Sequence, residues 1–113
     1  STPFGRSLMS EIVGSATDGA SLIDLARKLS PEVMILDVFM PGLSGIEVAR
    51  ELKKRHINGC IIFLTVYEDA SFVETAKDLG ALGYVLKSSA DRDLVPAIHE
   101  ALQGHFYSSS SLH

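Results

Sequence analysis

A chain of 113 residues, 46% of them hydrophobic, is the length of one compact domain and is long enough to bury a core. With 10 basic against 14 acidic residues the formal charge is -4, so these residues lack the basic face that a nucleic-acid binder requires. No apolar run approaches the roughly 20 residues of a membrane helix, no charged-then-apolar leader opens the chain, and the lone Cys60 within "CIIFL" fits a reducing compartment as a small buried hydrophobe. A cytoplasmic domain with no membrane contact is expected.

The elements follow in chain order. "EIVGSA" at 11–16 reads as a strand, and residues 19–29 as a helix with Leu22, Ile23, Ala26 and Leu29 on one face. "EVMILD" at 32–37 is the next strand, followed by a helix over 44–55 that aligns Ile46, Ala49 and Leu52. "CIIFLT" at 60–65 precedes a helix over 70–79 carrying Phe72, Val73, Ala76 and Leu79. "GYVLK" at 83–87 leads into a last helix at about 90–103, with Leu94, Ile98, Ala101 and Leu102. The strands are apolar almost throughout rather than alternating, as expected when helices cover both sheet faces, and strand-helix-strand order gives a parallel sheet. The expectation is an α/β three-layer sandwich over residues 1–107, with "YSSSSLH" making 108–113 a linker or frayed tail. Pro96 falls inside the last helix, where it could cost roughly 3 kcal/mol, so a kink or a late first turn is expected; Ser88 or Ser89 would cap it, in an S-x-x-D setting from Ser88 to Asp91.

Ligands of an open parallel sheet sit at the carboxyl ends of its strands. The residues there are Asp37, Thr65 and Lys87. Each has an ordinary explanation: an Asp before a turn bonds locally, a Thr often closes a strand, and a Lys at a strand end reaches water. An anion, a hydroxyl and a cation on successive strand ends form a more specific set. A carboxylate can accept a phosphoryl group as an acyl phosphate, while an ammonium and a hydroxyl stabilise the phosphoryl oxygens. Mg²⁺, the usual companion of such chemistry, prefers more than one carboxylate.

"LDVFMPGLSG", Thr65 and "GALGYVLK" resemble the receiver domain of two-component response regulators, and most of all the NarL/LuxR type, over residues 11 to about 107. The resemblance implies a flavodoxin-like fold with a parallel five-stranded sheet. It also implies phosphorylation of Asp37 by a sensor histidine kinase, and Mg²⁺ held by Asp37 and the backbone carbonyl of Phe39. Met40, Pro41 and Gly42 would shape the loop, and Gly45 would let the next helix start close to the sheet. Lys87 matches the phosphate-contacting lysine, and Thr65 with Tyr84 the switch pair. In that switch Thr65 moves toward the phosphoryl group and Tyr84 turns inward; the plainer reading of Tyr84 is a half-buried aromatic with its hydroxyl in water. The implied protein is a phosphoacceptor rather than a turnover enzyme, with at most self-catalysed phosphotransfer and autodephosphorylation. It would be a homodimer that meets DNA only through an output domain absent from these residues.

Receivers open with a strand ending in an acidic pair that holds the metal, and no such strand precedes "EIVGSATDG". The expectation is that this first strand is missing from the sequence, the alternatives being a true truncation, a strand from a second chain, or a degenerate receiver. A phosphorylation-independent pseudo-receiver is therefore the competing function. An aspartyl-phosphate phosphatase would want a second Asp where Phe39 stands. Ser88 replaces a common proline, so no cis bond is expected after Lys87. Val66 would narrow water's access to an acyl phosphate. His56, His99, His105 and His113 show no ligand spacing, "RELKKRH" at 50–56 reads as a solvated helix face, and Asp18, Glu68 and Asp69 as charges near helix starts.

Overall fold

The computed structural model describes residues 18–38 and 44–109. Asp18 starts helix α1 (Gly19–Leu29) by accepting the Ser21 N–H at 2.9 Å, and the helix ends at Ser30 in the left-handed region, φ 45°. Strand β1 (Val33–Asp37) is followed by α2 (Gly45–Lys54), whose first turn is closed by a reciprocal capping box between Ser44 and Glu47. Strand β2 (Cys60–Thr65) leads to α3 (Ala70–Asp78), capped by Asp69, which accepts the Ser71 N–H at 2.9 Å. Strand β3 (Gly83–Leu86) passes through a 3-10 turn, Lys87–Ser89, into α4 (Ala90–Leu102), and a two-residue strand β4 (Tyr107–Ser108) closes the series.

All pairings among the described strands are parallel, in the order β1-β2-β3-β4. Side chains along β2 and β3 alternate between two cores, as a two-residue period requires. Ile61, Phe63 and Tyr84 join Met34, Leu36, Val48, Leu52 and Ala76 on one face. Ile62 and Val85 meet Ala97 and Ala101 of α4 on the other. This is the flavodoxin-like α/β arrangement. The strand expected over 11–16, and the position of the missing first strand, lie outside the described residues.

Several details depart from the sequence reading. Residues 108 and 109, expected in a tail, belong to the fold: Tyr107 and Ser108 pair with Gly83 and Tyr84, and Ser109 is fully buried with its Oγ accepting the Leu86 N–H at 3.0 Å. Composition could not show this, because the docking depends on partners far along the chain. The helix start differs as well. Ser89, not Ser88, precedes α4, and its hydroxyl makes no cap; it donates to Asp93 Oδ2 at 2.8 Å. The helix runs on past Pro96 to Leu102, with the preceding turn wound as 3-10. Cys60 is only half-buried, its thiol donating to the Ala101 carbonyl at 3.3 Å, and burial with the nearby Glu32 charge pushes that thiol up from its ordinary value.

Asp93 is the one charged side chain among the buried described residues, 2% exposed. Burial alone would raise its pKa, yet hydrogen bonds from Ser89, Tyr107, Ser109 and Arg92 outweigh that and hold it at about 2. The Tyr107 hydroxyl donates to Oδ1 at 2.8 Å, and that bond, with burial, raises the Tyr107 phenol. A carboxyl lowered in the native state stabilises the fold above its ordinary pKa, near 4, and that contribution disappears as pH falls through about 2. Urea midpoints measured from about pH 5 to about pH 2 should therefore fall, and Asp93→Asn should flatten the acid limb relative to wild type. An unchanged limb in the variant would show that the network does not hold this carboxylate.

Candidate functional site

The register of the sheet brings the sequence-derived residues to one end. Asp37 pairs with Leu64, the residue before Thr65, and Thr65 pairs with Leu86, the residue before Lys87. The three groups thus lie on a diagonal across the carboxyl ends of adjacent strands. Asp37 closes β1 and Lys87 directly follows β3, strands about 10 Å apart at the usual strand spacing. The long lysine stem closes that gap over β2, and Nζ reaches Asp37 Oδ2 at 2.5 Å.

Both partners are accessible, with side chains 42% and 34% exposed. An ion pair so open to solvent is worth roughly 0–1 kcal/mol, too little to explain as a stabilising device. Its value lies in placement: the carboxylate is reachable from solvent and already has a cation beside it.

Gly45 lies against the backbone at the end of β1. Its N–H donates to the Val38 carbonyl at 2.8 Å. A Cβ there would overlap the Asp37 carbonyl oxygen and lie 3.0 Å from the Asp37 carbonyl carbon and 3.1 Å from Val38 Cα. Only glycine lets α2 begin this close to β1, as the sequence reading expected. Ser44 and Glu47 add a capping box beside it, a signal present as S-x-x-E in "SGIE" that the sequence reading did not use.

Thr65 and Tyr84 form a second, drier cluster. Thr65 is 1% exposed, and its Oγ1 accepts the Tyr67 N–H at 3.0 Å. Tyr84 is wholly buried and donates its hydroxyl proton to the Tyr67 carbonyl at 3.1 Å. Burial raises the phenol's pKa, contact with the Thr65 hydroxyl works against it, and the Asp69 charge adds to the rise. The half-buried reading of Tyr84 is thereby corrected: the ring already points inward, and its hydroxyl is bonded to backbone rather than to water. Sequence period gave the face of this side chain but not its partner.

Phe39, Met40, Pro41 and Gly42 lie outside the described residues, so the expected metal contact of the Phe39 carbonyl and the loop's shape are not placed. The Lys87–Ser88 bond is trans, like every described peptide bond. Val66 is 65% exposed.

A sequence profile described as the response regulator receiver domain matches residues 5–99. The chain belongs to that family. The receiver is 37% identical over 101 residues to the nitrate/nitrite response regulator protein NarL of Escherichia coli K12, a match covering 89% of this chain and 47% of that protein. Its fold is similar to a crystal structure of a LuxR-family two-component response regulator from Aurantimonas sp. SI85-9A1, with TM-score 0.84 and 29% identity over 97% of this chain and 85% of that one. It is similar also to RcsB in a structure of two dimers bound to two parallel DNAs, with TM-score 0.78 and 31% identity over 88% of this chain and 51% of that one. The receiver spans about half the length of the curated relatives it matches.

Receiver domains generally bind Mg²⁺ at the phosphorylation site. Among the described residues no group of three or more His, Cys, Asp or Glu side chains could hold a metal ion. Asp37 is the carboxylate that closes a described strand, and one carboxylate is thin for Mg²⁺. The described residues therefore do not by themselves make the site. No helix among them is long and apolar enough to cross a membrane.

The geometry separates position from stability. Lys87→Ala should lower unfolding free energy by no more than about 1 kcal/mol, since the ion pair is open to solvent. Gly45→Ala should cost about 1–3 kcal/mol, because the added carbon meets backbone that cannot yield. Urea denaturation of the two variants checks this ordering, and a larger loss for Lys87→Ala would reverse it.

Proposed function

We propose that Asp37 is the phosphoacceptor of this receiver. A carboxylate oxygen of Asp37 attacks the phosphorus of a phosphohistidine on a sensor histidine kinase. The phosphorus–nitrogen bond breaks, and its electron pair stays on the imidazole, which takes up a proton. The observation that carries this reading is the Lys87 ammonium beside an accessible Asp37 carboxylate at the carboxyl end of the sheet. Lys87 neutralises charge on the phosphoryl oxygens, and Thr65 supplies a hydroxyl proton to one of them. By the resemblance to other receivers, Mg²⁺ would be held by Asp37 and the Phe39 carbonyl with further ligands, and would supply Lewis-acid charge. The domain is a phosphoacceptor, with self-catalysed transfer and autodephosphorylation as its only chemistry.

The switch follows from the contacts of Thr65. Thr65 Oγ1 already accepts the Tyr67 N–H, and turning its hydroxyl toward a phosphoryl group disturbs its contacts with Tyr67 and Tyr84. Phosphorylation adds about 1.5–2 negative charges, and each charge-assisted bond from Thr65 and Lys87 is worth about 1.5–3 kcal/mol. Together they approach the ~5.5 kcal/mol that carries a two-state equilibrium from 1:99 to 99:1. Release of Thr65 then shifts the Tyr67 segment and the packing of Tyr84. The readout is a changed face for a second copy of the chain and, in a cytoplasmic protein longer than this domain, a DNA-binding output.

Acetyl phosphate with Mg²⁺ should add one phosphoryl group to the wild-type chain by intact mass, and none to Asp37→Asn. Lys87→Ala should slow the addition roughly 10- to 100-fold, the equivalent of losing about 1.5–3 kcal/mol of charge-assisted bonding. A wild-type chain that stays unmodified would favour a pseudo-receiver that signals by binding alone.

A further inference from the structure

The Asp93 carboxylate is buried, charged and remote from the reacting atoms, yet its bonds lead to both sides of Lys87. Downstream, Ser89 donates to Asp93 Oδ2 at 2.8 Å, and the same hydroxyl lies 3.5 Å from the Leu86 carbonyl. Upstream, the Leu86 N–H is held by Ser109 Oγ at 3.0 Å. The two serine hydroxyls are 3.4 Å apart. Tyr107 closes the network from β4 through its bond to Oδ1, and Arg92 Nε stands 3.5 Å from that same oxygen.

Lys87 thus opens a short 3-10 turn between two residues, Leu86 and Ser89, that the network ties down. Its side chain is 42% exposed, so little packing directs the stem, and the position of the ammonium depends on where its root is fixed. Bonds to an ionised acceptor are shorter and about twice as strong as neutral ones, which suits a carboxylate to this task. Stability alone does not require a charge here, because buried ionic groups are often replaceable by neutral ones.

We propose that Asp93 is a positioning residue for phosphoryl transfer: acting through Ser89, Tyr107 and Ser109, it sets the backbone on either side of Lys87 so that the ammonium meets the incoming phosphoryl group at Asp37. The inference rests on Asp37 being the phosphoacceptor. It also assigns work to residues 107–109, whose docking would share in placing Lys87.

The test is a double-mutant cycle read as the rate of Asp37 phosphorylation by acetyl phosphate, followed by intact mass on the whole chain. Asp93→Asn should slow the wild-type reaction on the order of tenfold, within the ~10²-fold that a 1 Å misplacement can cost. In a Lys87→Ala background the same change should have no further effect, because a residue that acts through Lys87 has nothing left to place. Tyr107→Phe removes one donor and leaves the carboxylate, so it should give a smaller slowing with the same dependence on Lys87; it also serves if Asp93→Asn does not fold. Equal slowing in both backgrounds, or none in the wild-type background, overturns the proposal and leaves the network a structural one. A wild-type chain that takes up no phosphoryl group overturns the phosphoacceptor reading and this inference with it, an outcome distinct from the other two.

Discussion

The parallel register of β1, β2 and β3 is the constraint on which everything else depends. Lys87 touches Asp37 across an intervening strand because Asp37 pairs with Leu64 and Thr65 with Leu86, so the strand ends fall level enough for one side chain to bridge. A slip of one residue in either ladder would turn alternate side chains to the opposite face. Phe63 and Tyr84 would leave one core and Ile62 and Val85 the other. Burial of these side chains is therefore what aims the polar ones, and the apolar interior specifies the site without taking part in it.

Two kinds of environment meet at that end of the sheet. Asp37 and Lys87 are wet, and their mutual attraction is small enough for a third charged group to enter without opposition. Thr65 and Tyr84 are dry, with the Tyr67 N–H on Thr65 Oγ1 and the Tyr84 hydroxyl on the Tyr67 carbonyl. A hydroxyl drawn out of such a cluster leaves a deficit, since buried polar groups without partners cost about 1–3 kcal/mol. The proposed switch draws on this asymmetry, with an event at the wet pair passing to the dry cluster.

Much of this was legible in the sequence. Apolar spacing placed the helices within about two residues of their ends, because a 3.6-residue stripe is strong over 9 to 13 residues. The rule that ligands gather at strand ends singled out Asp37, Thr65 and Lys87, and glycine chemistry explained Gly45. What escaped depends on contacts distant in sequence. Nothing local to "YSSSSLH" shows that Tyr107 would find Asp93 or that Ser109 would find Leu86. Ser89 looked like a helix cap because serines at such places commonly are, and it was a carboxylate one turn on that redirected it. The inward rotamer of Tyr84 depended likewise on a carbonyl in a loop, which periodicity does not register.

The short strand β4 has an effect on the molecule's social behaviour. β3 is buried along its whole length, and β4 covers the flank that would otherwise present unpaired amides and carbonyls. Only two residues long, β4 offers in its turn too few backbone groups to template a neighbour's strand. On this flank, copies of the chain are discouraged from joining into a continuous ribbon, and association is left to side chains, whose pattern can be selective where backbone pairing cannot.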